Sequence, residues 1–187
     1  MRRLILAILL LGILIGCSTG TNVEQPKKEV TDMKPSTEEQ PEEKPRKRGK
    51  INVVEKEYYA EQDAIFEYET AIRELLNRYT EESDKTLQFL EAYAFGTDTQ
   101  DDYRSFKVTT AESLAMLDQI YALNSPATTA EAQKHFLKFE EDARFFTENI
   151  VIAVDKNDPN LFELCSDRLR QARHHMEDGY KVLDNKE

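Results

Sequence analysis

Between Ile51 and Phe95 the apolar residues return at helical spacing, and neither proline nor glycine interrupts them. Ile51, Tyr58, Ile65, Ile72, Tyr79, Thr86 and Tyr93 recur every seven residues, with Val54, Tyr68, Leu75 and Phe89 on the adjoining line. A seven-residue apolar period places these side chains along one stripe of a long helix. Glu61 and Glu82 break the second line, and Thr86 weakens the first. The pattern fits either one continuous helix or two joined by a kink near Thr80 to Ser83. Gly96 ends the element. A second helix is expected from about Gln100 to Leu123, with Tyr103, Phe106, Thr110, Leu114, Leu117 and Ile120 on one face. Pro126 stops it, because proline disfavours helix in the residue before it.

Thr128 and Glu131 have the spacing of a capping box, a local signal for a helix start. The third helix then carries Ala132, Phe136, Phe139, Ala143, Phe146, Ile150 and Val154 at three- and four-residue steps. Asn157, Asp158 and Pro159 combine a turn, an N-cap and a first-turn proline. The fourth helix is expected to bury Leu161, Cys165, Leu169, Ala172, Met176 and Leu183, with Gly179 where another helix can approach closely. Four amphipathic helices on short loops predict an all-α fold, an antiparallel four-helix bundle with a long first helix.

The first fifty residues follow other rules. Arg2 and Arg3 precede an apolar run of twelve residues, Leu4 to Ile15. That run is shorter than the ~20 residues a membrane-spanning helix needs, and it has the charged, apolar, small order of a secretory signal. Leu14, Ile15, Gly16 and Cys17 close it. These four residues resemble the lipobox of bacterial lipoproteins: an aliphatic residue, a variable one, a small one, then cysteine. The resemblance implies a signal peptide over 1–16, cleaved before Cys17, and a diacylglyceryl group on the Cys17 sulfur. It further implies attachment to the cell membrane on the extracytoplasmic side. Two acyl chains suffice for stable attachment, where one gives only marginal binding.

From 17 to 50 the chain is rich in Pro, Glu and Lys, and only Val23, Val30 and Met33 are apolar after the cysteine. Such a segment cannot bury enough apolar surface to offset its ordering entropy, so a disordered tether is expected. As a coil, its 33 residues from Ser18 onward would span ~30 Å. It ends in a basic cluster, Lys44, Arg46, Lys47, Arg48 and Lys50. That cluster reads either as a contact for anionic lipid or an anionic wall polymer, or as a solubilising linker end.

Charge narrows the function of the remaining domain, residues 51–187. It holds 29 acidic and 15 basic side chains, a net of −14. A surface of that sign repels nucleic acid and anionic membrane, so no nucleic-acid partner is expected. With Cys17 lipidated, Cys165 is the only other cysteine, and no intrachain disulfide forms. Cys165 lies on a core stripe with no activating histidine in evidence and reads as a small hydrophobe.

Chemistry is sparse. No Glu-x-x-His motif, Gly-rich phosphate loop, Ser-His-Asp order or zinc-type Cys/His spacing occurs. Glu131 with His135, and His174 with Asp178, are pairs four residues apart, and each is too few ligands for a stable metal site. No catalytic residue, cofactor or metal ligand is assigned, and the chain reads as a non-enzyme. The preferred reading is a lipid-anchored interaction module of the cell envelope, with Phe145, Ile152 and Tyr58 as candidate partner contacts. Phe145 is expected to be exposed, because it projects opposite Ala143 and Ile150. The competing reading is a lipid-anchored protein that binds a small ligand or a metal, through a tyrosine-lined cavity or where His135 meets His175.

Overall fold

The computed structural model of the chain describes residues 53–185. Leu14, Ile15, Gly16, Cys17, the tether and Ile51 lie outside the described residues. The described residues form four α-helices and no strands: α1 Val53–Phe95, α2 Gln100–Ala122, α3 Ala130–Lys156 and α4 Pro159–Asp184. They pack as a bundle, most extensively where α4 lies on α3, then α1 on α2 and α2 on α3.

Helix α1 is continuous through Thr80 to Ser83, which decides between the two forms the sequence allowed. Within the bundle the expected seven-residue lines are buried, Ile72, Tyr79 and Thr86 beside Tyr68, Leu75 and Phe89, and the buried face is wider than those lines. Ile72, Leu76, Tyr79, Ser83, Leu87, Leu90 and Ala94 are all buried, and Ile72, Ser83 and Ala94 are separated by eleven residues. A strict seven-residue stripe drifts around a straight helix by ~20° per repeat, whereas an eleven-residue period of 3.67 per turn stays on one side. Tyr93, on the expected line, is accordingly only half-buried, while Leu76, Leu87 and Leu90, off that line, are fully enclosed.

The helix ends follow local chemistry. Gly96 has φ 70°, and it lets the chain reverse out of α1. Thr99 and Asp102 form a capping box on α2: the Thr99 N–H donates to Asp102 Oδ2 at 2.8 Å, and the Asp102 N–H donates to Thr99 Oγ1 at 3.2 Å. The Thr128 and Glu131 box expected for α3 does not form. Residues 127–129 make a 3₁₀ turn, and the Thr129 hydroxyl donates back to the Pro126 carbonyl at 3.0 Å. The turn thus takes up the hydroxyl at the position that precedes α3. Asp158 caps α4 as expected, accepting from the N–H groups of Asn160 and Leu161 at 3.1 and 3.2 Å with Pro159 at the first helical position.

Two apolar clusters fill the bundle. One gathers Leu90, Phe89, Phe106, Phe146, Ile150, Phe162 and Leu169, with the Phe89 and Phe106 rings stacked at 4.3 Å. The other gathers Ile72, Leu76, Leu117, Ile120, Phe136 and Phe139. Phe162 and Met116 are core residues that the expected stripes leave out, whereas Leu161, Leu114 and Met176 are half-buried at the margin. Gly179 is required by close approach: a Cβ there would meet the ring of Phe136 well inside van der Waals distance.

Candidate interaction surface

Tyrosine hydroxyls fix how α1 sits against α3. Tyr68 bonds Gln133 Oε1, Tyr79 lies 3.2 Å from Thr147 Oγ1, and Tyr93 donates to the Val154 carbonyl at 3.3 Å. Burial pushes the Tyr68 and Tyr79 hydroxyls up to about 12, so both remain neutral hydrogen-bonding groups. These contacts set a level along the bundle. Tyr68 stands opposite the first turn of α3, and Arg73 pairs at 2.6 Å with Asp184, the last residue of α4. The α1 residues before Tyr68 lie beyond that level.

Those residues form an overhang. From Glu57 to Glu67 every side chain is exposed except Ile65, which is half-buried. Eleven helical residues extend about 16 Å. Among the largest exposed hydrophobic side chains in the described structure, three lie here: Tyr58 at 59%, Tyr59 at 64% and Phe66 at 71% exposed. The Tyr58 and Tyr59 rings touch edge to face at 5.8 Å. At 3.6 residues per turn, Tyr58, Tyr59, Gln62, Ile65 and Phe66 share one face with an arc of about 120°. Glu57 and Glu61 run along one margin of this face, and Asp63 and Glu67 along the other. An aromatic strip is thus framed by two acidic rails.

The strip continues the core line only in part: seven-residue steps back from the buried Ile72 reach Ile65 and Tyr58. Stepping back eleven residues from Ile72 and Tyr68 gives Glu61 and Glu57, both exposed and charged. The core-facing positions of the overhang are thus shared by Tyr58 and Ile65 with the acidic Glu57 and Glu61, while Tyr59 and Phe66 are rotated off them. Sequence reasoning singled out Tyr58 but missed Phe66. The signal for it was present: Phe66 is seven residues after Tyr59, as Ile65 is after Tyr58.

The other candidate contacts lie elsewhere. Ile152 on α3 is exposed at 40%. Phe145 corrects the expectation of an exposed ring. It is half-buried against the core, and the Arg168 guanidinium covers its face 5.2 Å from the ring centre. The cause is α4, which packs along this side of α3, where Arg168 also donates to Asp142 Oδ1 at 2.6 Å. Tyr58 and Ile152 are therefore separate surfaces, one on the overhang and one on the body of the bundle.

The features that would mark a ligand or metal site are slight. His175 Nε2 lies 3.7 Å from Asp142 Oδ2, and the buried His135 Nδ1 has no hydrogen-bond partner. Among the described residues, no group of three or more His, Cys, Asp or Glu side chains is placed to hold a metal ion. A cavity of about 90 Å³ lies between α1, α3 and α4, lined by Tyr79, Ser83, Phe139 and Leu169. That is below the roughly 300 Å³ at which small-molecule pockets begin. Two grooves between α1 and α2, one of about 410 Å³ beside Leu75, Arg78 and Leu123 and one of about 330 Å³ beside Lys85, Phe89 and Asp102, reach that size but lie open to solvent. Cys165 is buried, and burial pushes its thiol up to about 12, well away from a reactive thiolate. No described helix is long and apolar enough to cross a membrane. Comparison with protein-family models, curated proteins and solved structures finds no match to this chain.

Proposed function

We propose that the protein is a non-enzymatic interaction module of the bacterial cell envelope, lipid-anchored through Cys17 on the extracytoplasmic face of the membrane. In this reading residues 1–16 are a signal peptide and 17–50 a flexible leash. Residues 51–187 are a bundle whose successive helices run antiparallel. The observation that carries the interaction reading is the aromatic strip on the overhang. Exposed aromatic side chains gathered on one face, rather than scattered singly, mark partner-binding surfaces. The strip also stands at the end of the domain that the leash enters, so the anchor holds it near the membrane and its resident proteins.

The anchor and the interaction are tested separately. Replacing Cys17 with Ala should move the protein from the membrane fraction to the soluble or secreted fraction, and quantitative retention on membranes would contradict the anchor. Photo-crosslinking in intact cells, with probes at Tyr58 and Ile152, tests the interaction. A discrete protein adduct at either position supports the module reading, and the lack of any adduct at both contradicts it.

A further inference from the structure

The interaction reading leaves the partner's chemistry open, and the overhang specifies it. We infer that the strip of Tyr58, Tyr59, Ile65 and Phe66 docks a basic amphipathic helix of another envelope protein. This inference rests on the module reading above.

The geometry supplies two complementary requirements. A helix laid on an aromatic strip buries its own apolar residues at three- and four-residue steps, the mode of helix-in-groove recognition. The rails add a charge requirement on both sides. Glu57 and Glu61 on one margin, with Asp63 and Glu67 on the other, are all exposed and have no salt-bridge partner among the described residues. A partner helix with Lys or Arg flanking its apolar face would match all three stripes. Such charge pairs at a rim contribute more to association rate and specificity than to affinity.

The same charges argue against the other occupants. A second copy of this chain would bring acidic rails against acidic rails, on domains that each have a net charge of −14. An anionic lipid surface meets the same repulsion. The chain's own basic segment, Lys44 to Lys50, matches the rails but has Pro45 as its one apolar side chain, too little to cover four apolar residues of the strip.

The test uses the full lipidated chain in cells, with photo-crosslinking probes at Tyr59 and Phe66 and mass-spectrometric mapping of the crosslinked peptide. The expected adduct is a segment of a different protein with apolar residues at helical spacing and flanking Lys or Arg. Its yield should fall at least tenfold when Glu61→Lys and Glu67→Lys are combined. Melting of that variant should stay within a few degrees of the parent, because both side chains are exposed. An adduct with a second copy, with lipid, with residues 44–50, or with a neutral or acidic segment would overturn the inference. So would a yield indifferent to the charge reversal. Adducts at Ile152 with none at Tyr59 or Phe66 would overturn it while leaving the module reading in place. No adduct at any of these positions or at Tyr58 would overturn both.

Discussion

Helix α1 does two different things along its length. From Tyr68 to Ala94 it turns a line of Ile72, Leu76, Tyr79, Leu87 and Leu90 into the bundle, where these side chains are enclosed on all sides. From Glu57 to Glu67 the backbone continues as the same helix, but the core line admits the exposed Glu57 and Glu61 beside Tyr58 and Ile65, and Tyr59 and Phe66 lie on a different face. The body is stabilised by burial, at about 1.5–3 kcal/mol for a fully buried large aliphatic or aromatic side chain. The overhang receives almost none of that, since its rings remain in water. Helical period alone therefore does not separate a stabilising stripe from a recognition stripe. The position of the exposed charges helps: Glu57 and Glu61 stand on the core line of α1 where the core ends.

This contrast can be broken or sharpened by substitution. The largest effect is expected in the body. Leu76→Ala removes a fully buried side chain and should cost about 2–5 kcal/mol in urea unfolding of the whole chain. Gly179→Ala comes next, at about 1–3 kcal/mol, because its new Cβ must displace the enclosed ring of Phe136.

Alkaline pH should also act on the body. Burial raises Tyr68 and Tyr79 from 10.0 to about 12 and Cys165 from 9.0 to about 12. These groups stay protonated in the folded protein at a pH where the unfolded chain releases their protons. Their contribution is thus intact below pH 9 and is lost as pH rises towards 12. Urea midpoints measured from pH 8 to pH 11 should fall with pH, most steeply above 10. A flat profile would show that the three groups are not held neutral by burial. The smallest effect belongs to the overhang: Phe66→Ala should shift stability by no more than about 0.5 kcal/mol. A loss comparable with that of Leu76→Ala would mean that Phe66 is covered in the isolated protein.

How much of this was legible in the sequence depends on what each residue faces. The four helices and their ends were readable because their signals are local: Gly96, Pro126, and Asp158 with Pro159 act within one turn of themselves. The capping box at Thr128 failed because a 3₁₀ turn takes up residues 127–129 and the helix begins at Ala130, which puts Thr129 rather than Thr128 at the N-cap. Phe145 failed for a longer-range reason. Its exposure depended on where α4 lies and on Arg168 reaching over its ring, and neither is encoded in the period of α3. Tyr58 was found because it sits on an obvious stripe. Phe66 was missed because it lies off that stripe, on a side of the strip that only Tyr59, seven residues earlier, shares with it. Leu14 to Cys17 were legible as a local motif, and their place in the account rests on that resemblance.

The most direct test of the account is peptide-resolved amide hydrogen exchange on the isolated full-length chain. Local opening is cheap where few apolar contacts hold a helix, and costs up to the global stability where the core encloses it. The account predicts fast exchange across residues 57–67 and protection several orders of magnitude stronger across residues 72–94 of the same helix. Equal, strong protection over both segments would contradict it, since the overhang would then already be covered in the isolated protein rather than kept open for a partner.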